Sequence, residues 1–127
     1  MENCLKTRNF SKWAAKAGLS DRVLKAAFHE ILNGLVDADL GGGVIKKRVA
    51  LPGRGKSGSA RTILATNKKD RWIFLFGFEK NDLDNISSKE LEALQLLAGD
   101  LLKLTKNQVN MAIKDGALVE IEDEKDN

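Results

Sequence analysis

Between residues 46 and 80 the chain places ten cations, Lys46, Lys47, Arg48, Arg54, Lys56, Arg61, Lys68, Lys69, Arg71 and Lys80, against two acids, Asp70 and Glu79. Cations this dense suit a polyanion, and RNA is the polyanion they suit best. RNA also carries its own nucleophile. Cutting it with the 2′-hydroxyl requires a base for the hydroxyl proton, positive charge for the crowded phosphorane, and an acid for the leaving 5′-oxygen. A pair of histidines commonly moves those protons, but His29 is the only histidine here. No Asp, Glu or Cys stands at ligand spacing from it, and it lies off the apolar stripe of its helix, so it reads as a solvated histidine. A lysine crowded by other cations is the alternative base, because its neighbours disfavour its charged form. No metal or other cofactor is required.

The elements that position these cations are three strands. Val44–Leu51 alternates, with Ile45, Val49 and Leu51 as the better core face, which sends Lys46 and Arg48 to the more open side. Pro52–Ser59 is a glycine-rich loop whose N–H groups and cations, Arg54 and Lys56, can both meet phosphate oxygens. It is not a Walker A loop, since Ala50 stands where that motif needs glycine and a strand follows in place of a helix. Ala60–Thr66 is the second strand, Asn67–Asp70 a hairpin turn, and Arg71–Phe78 a third strand, apolar on both sides as a central strand is. Its Trp72, Phe74, Phe76 and Phe78 read as one core row. Glu79, Lys80, Asn81 and Asn85 gather past its end, where the loop cations can converge.

Helices flank this sheet. Phe10, Trp13, Ala14 and Ala17 recur at helical spacing within residues 5–18, with Gly18 to end the helix, and Ser20 caps a second one carrying Leu24, Ala27, Phe28, Ile31, Leu32 and Leu35. Both are expected on one face of the sheet. The connection Val36–Gly43 ends in three glycines, read as a tight lead-in to the first strand. Ser87 with Glu90, and Thr105 with Gln108, are capping boxes that open a third and a fourth helix, the latter stopping at Gly116. Ala117–Ile121 suits a last strand, and the acidic residues 122–127 suit a frayed tail.

A chain of 127 residues, 43% hydrophobic and 31% charged, reads as one globular domain with an ordinary core and no linker. Lone Cys4 has no disulfide partner and no second thiol for a zinc site, which fits a reducing cytoplasm. No apolar run reaches the length of a membrane span. Charge is unevenly spread, with 16 bases and 7 acids in residues 1–80 but 5 bases and 11 acids in residues 81–127. That split implies a basic working face and an acidic far side.

The segments DADLGGG with KKR, RGKSG with the following RT, and GFEKN, together with the helix beginning SSKELEAL, resemble the RelE-like toxins of bacterial type II toxin–antitoxin systems. The likeness runs from about Leu5 to Ile121 and is strongest to the phage- and plasmid-associated branch grouped with the HigB type. It implies an α+β fold, with a small mostly antiparallel sheet, N-terminal helices on one face and further helices after the third strand. It implies a toxin that cleaves mRNA, usually on the ribosome, and that is held inactive by a cognate antitoxin, often a helix-turn-helix DNA-binding protein. Carried over, the family's basic surface corresponds to Lys46, Lys47, Arg48, Arg54, Lys56, Arg61, Lys80 and Asn81. This chain has no tyrosine, so a phenol that stacks on a base is absent.

Within that surface Lys56 or Lys46 is the expected base, Arg61 the group that stabilises transition-state charge, and Lys80 or Arg54 the phosphate contact or leaving-group aid. Lys47, Arg48 and Asn81 complete the expected RNA-binding set. So sparse a proton-transfer apparatus implies slow cutting of free RNA and dependence on the ribosome to orient the substrate. Two other readings stand beside this one: a non-catalytic inhibitor of DNA gyrase in the manner of the related ParE proteins, and a basic nucleic-acid-binding module.

Overall fold

The computed structural model describes residues 3–53, 58–79 and 85–122, in the order β1 (Asn3–Thr7), α1 (Arg8–Ala17), α2 (Asp21–Leu32), β2 (Ala38–Gly41), β3 (Val44–Val49), β4 (Ala60–Thr66), β5 (Arg71–Glu79), α3 (Ser88–Lys103), α4 (Lys106–Asp115) and β6 (Leu118–Glu120). The loop residues 54–57, the segment 80–84 and the acidic residues 123–127 lie outside the described residues. Four of the expected site residues, Arg54, Lys56, Lys80 and Asn81, therefore do as well.

Six strands form one open, mostly antiparallel sheet in the order β2-β3-β4-β5-β1-β6. Among the described residues only β1 and β5 run parallel. The fold is α+β, as expected, but two strands were not anticipated. β1 occupies the start of what the apolar spacing suggested was helix, and β2 occupies part of the connection before the glycines. As an inner strand β1 is buried on both faces, and its Cys4, Leu5 and Lys6 are all buried, so it shows no alternation. Lys6 tolerates that position because its ammonium meets Asp21 at 2.6 Å.

Helices cover both faces of the sheet. On one side α1 and α2 bring Phe10, Ala14, Leu24, Phe28 and Ile31 onto Ile45, Val49, Leu64, Trp72 and Phe74. On the other, α3 and α4 pack against Val44, Ile63, Ala65, Ile73 and Leu75. Local sequence fixes the helix ends. Thr7, Ser20, Ser87 and Thr105 each accept a first-turn N–H, Ser87–Glu90 and Thr105–Gln108 close reciprocal capping boxes, and Gly18 and Gly116 end α1 and α4 in left-handed conformation.

A bulge corrects the reading of the aromatic row. Ile63 pairs with Phe76 and Leu64 with Phe74, so Leu75 is the extra residue on β5. Trp72 and Phe74 consequently face α1 and α2, whereas Phe76 and Phe78 turn to the face shared with α3. The three glycines serve the β2–β3 turn. All of Gly41, Gly42 and Gly43 have positive φ, and a Cβ on Gly42 or Gly43 would lie within 3 Å of the α3 side chains Gln95 and Leu102. Gln95 in turn donates to the carbonyls of Leu40 and Gly41.

Candidate functional site

The β3–β4 ladder decides which cations meet. Lys46 pairs with Ile63 and Arg48 with Arg61, so these three cations share one sheet face. Across β5 the same rows continue into Phe76 and Phe78. The result is a patch with Arg48 exposed, Lys46, Arg61 and Phe76 half-buried, and Phe78 buried beneath. Among the described residues no carboxylate pairs with the side chains of Lys46, Arg48 or Arg61.

The ladder also separates. Lys47 belongs to the opposite row, paired with Thr62, and projects toward α2, where its ammonium meets Glu30 at 2.8 Å with the side chain 8% exposed. The expected RNA-binding role of Lys47 is therefore corrected: strand alternation turns it away from Lys46 and Arg48, and a carboxylate already satisfies it. Arg71 is likewise structural. Buried at the far end of β5, it donates from Nη1 to the carbonyls of Leu101 and Leu104 at 2.9 Å, where α3 ends, the end of a helix at which a cation is favoured. Lys68 is held by Asp39. His29 is exposed on α2, over the face opposite Arg48 and Arg61, so it stands apart from them.

Two groups that the sequence did not flag orient the patch. Arg61 donates from Nη1 to the hydroxyl of buried Ser59 at 2.7 Å, which steers the guanidinium from the residue just before β4. Asp37 completes the edge of β3 where β2 stops: its N–H donates to the carbonyl of Lys46 at 3.0 Å, and its carboxylate accepts the N–H of Arg48. The Ser59–Arg61 spacing, two residues apart at the start of a strand, was available in the sequence as a signal. The Asp37 contact was not, because it depends on a strand pairing that the sequence did not reveal.

Chemically the patch is suited to an anion. Residues directly opposite on antiparallel strands have Cβ atoms roughly 4.5–5.5 Å apart, and like charges there repel. A phosphate between the Arg48 and Arg61 guanidinium groups relieves that repulsion and meets donors in forked geometry. Phe76 offers a partly open aromatic edge beside it. Among the described residues no group of three or more His, Cys, Asp or Glu is placed to hold a metal ion, and no helix is long and apolar enough to cross a membrane.

The family model of the RelE toxin of the RelE/RelB toxin–antitoxin system matches residues 2–121. No individually curated protein matches the chain.

Proposed function

This chain belongs to the RelE toxin family, and on that premise we propose that it is a ribosome-dependent endoribonuclease that cuts mRNA and so inhibits translation. Membership makes it the toxin of a toxin–antitoxin system, with a cognate antitoxin as its partner. The observation that carries the finer reading is the opposed pair Arg48 and Arg61, with Lys46 on the same face and no ion pair from any of their side chains to a carboxylate among the described residues. A fold that sets two arginines opposite one another on neighbouring strands spends stability on a place for an anion.

In this reading the RNA backbone lies along the patch, with a phosphate between Arg48 and Arg61. Arg61, steered by Ser59, stabilises the phosphorane as its charge grows. Lys46 is the base of the described patch, and Lys56 is the base that the loop would supply. Lys80 and Arg54 assist the phosphate or the leaving oxygen, and Asn81 binds RNA. The protein holds the strand in line while the ribosome presents it, which is where most of the acceleration arises when proton transfer is weak.

The test is Arg61→Ala, with mapping of 5′ ends on mRNA bound to translating ribosomes. Cleavage falls by about a hundredfold or more, in the range of a lost charge-stabilising donor, while circular dichroism and thermal melting stay near wild type. Wild-type cleavage by this variant would remove Arg61 from the site. A wild-type protein that leaves ribosome-bound mRNA intact but blocks DNA supercoiling by gyrase would replace the nuclease reading with the ParE-like one.

A further inference from the structure

Two features on opposite faces of the sheet complement each other. The first is a ridge on α3. Glu92, Leu96 and Asp100 recur every four residues and all are exposed, Leu96 at 74%. Four residues rise about 6 Å along a helix, so an apolar knob stands between two acids on one stripe. Neither acid forms an ion pair among the described residues.

The second is a hollow of about 340 Å³ between the end of α2 and the sheet. Ile31, Leu32, Val36, Ile45 and Trp72 line it, with Lys68 and Lys69 also in its wall. Leu32 and neighbouring Leu35 are exposed. The hairpin turn fixes the two lysines in place. The Asn67 side chain accepts the N–H groups of Lys69, Asp70 and Arg71, and Lys68 sits in left-handed conformation with its N–H on the Thr66 hydroxyl. Lys68 meets Asp39 in an exposed pair, whereas exposed Lys69 forms no ion pair among the described residues. Leu96 cannot enter the hollow of its own chain, because the hollow belongs to the face covered by α1 and α2 and α3 covers the other.

We infer that the hollow is the docking site for α3 of a second copy of this chain, in which Leu96 fills the hollow while Glu92 and Asp100 meet Lys68 and Lys69. Charge complementarity selects this occupant: a knob without acids would leave Lys69 unpaired, and one flanked by cations would be repelled. The ridge also offers a seat in return, a shallow hollow lined by Glu92, Gln95 and Leu96 that receives exposed Leu35. The interface is heterologous. Knob and hollow lie on opposite faces, so two copies cannot fill both seats reciprocally, and every added copy leaves one knob and one hollow open. A leucine with two solvated ion pairs makes a weak contact, so assembly grows with concentration. The inference requires neither RNA cleavage nor an antitoxin.

Sedimentation velocity of the purified chain at rising concentration tests it. The wild type forms species of two, three and more copies, and the association weakens as salt rises. Leu96→Lys and, separately, Lys69→Glu each weaken self-association by about tenfold or more, with thermal melting near wild type because both positions are exposed. Mixed together, these two variants form a pair and stop there, since one keeps only the hollow and the other only the knob. Met111→Lys, exposed on α4 and outside the contact, associates as the wild type does. A wild type that stays monomeric, variants that associate undiminished, or a loss seen only in Met111→Lys would overturn the assignment. Mixed variants that stay apart, with a wild type that stops at two copies, would overturn it in favour of a symmetric dimer. Mass is read directly, so failure of the nuclease reading leaves this result standing, and the converse holds.

Discussion

Gly77 stands on β5 between Phe76 and Phe78 but faces the other way, beneath the indole of Trp13 on α1. A Cβ built there lies 2.2 Å from Cζ3 of Trp13, and 2.5 and 2.6 Å from two further ring atoms. Ordinary contact begins at 3.4 Å, so Gly77→Ala requires a separation of at least 1.2 Å. The indole is a rigid plate and cannot fold its end away. It cannot slide freely toward α1 either, because Phe10 stands 5.4 Å from it, 1% exposed, and rests on Phe74 at 5.1 Å. Helix α1 or strand β5 must move. Overpacking of this kind costs about 1–3 kcal/mol, and the closeness of the contact puts Gly77→Ala at the upper end. Urea denaturation measures it, as a fall in midpoint with unchanged slope. Trp13→Leu in the same chain removes the plate and restores most of the loss relative to Trp13→Leu alone. Because Phe76 and Phe78 flank the site of strain, the single variant also loosens the rows that carry Arg61. A Gly77→Ala protein within about 0.5 kcal/mol of wild type, near the noise of neutral substitutions, would refute the reasoning, and so would a loss that Trp13→Leu does not repair.

Arg48→Ala removes one of two arginines paired across β3 and β4, so it stabilises the free protein by about 0.2–1 kcal/mol while weakening RNA binding. The gain shrinks in high salt, and chemical denaturation at two ionic strengths checks it. Glu30→Ala strands the Lys47 ammonium and costs about 1–2 kcal/mol, discounted because Glu30 itself is half exposed. Lys47→Met keeps stability near wild type and leaves cleavage of ribosome-bound mRNA unchanged, since Lys47 faces away from the patch. Ser87→Ala removes the cap of α3 and costs about 1 kcal/mol by thermal melting. The N–H and hydroxyl of Ser87 hold the Glu90 carboxyl below its ordinary pKa, so its contribution is complete above the unfolded glutamate value and disappears as pH falls through the folded one. Glu90→Gln therefore flattens the acid limb of the stability profile.

Much of this architecture was legible in the residues. Caps at Ser20, Ser87 and Thr105 and stops at Gly18 and Gly116 announced the helices, because capping chemistry is local. Strands β3, β4 and β5 declared themselves through alternation or apolar runs broken by turn residues. The strands that escaped notice are those whose pattern tertiary contacts override: β1, where burial on both faces and the Lys6–Asp21 pair erase the period, and β2, a short edge before the glycines. In the site, alternation correctly put Lys46 and Arg48 together. It also placed Lys47 on the other side, but the likeness to a family gathered all three, and the ladder parts them again. Leu75 shows the same limit. One extra residue in a strand reverses the facing of everything after it, and nothing in a run of apolar residues marks which one is extra.

The place of β1 governs the order in which this molecule can finish. Leu5 lies on the first strand, yet its neighbours across the sheet, Ile73 and Glu120, come from the fifth and sixth. The β3–β4 hairpin, and with it the cation patch, can zip as soon as it emerges. Meanwhile β1 must wait with one edge bare, and the floor beneath α4 is missing until β6 joins the sheet. A chain in that condition exposes a sticky border until β6 docks. Long-range closure of this kind is slow, so the interval between release from the ribosome and a sealed sheet is a window in which a newly made partner can meet a toxin that is not yet complete.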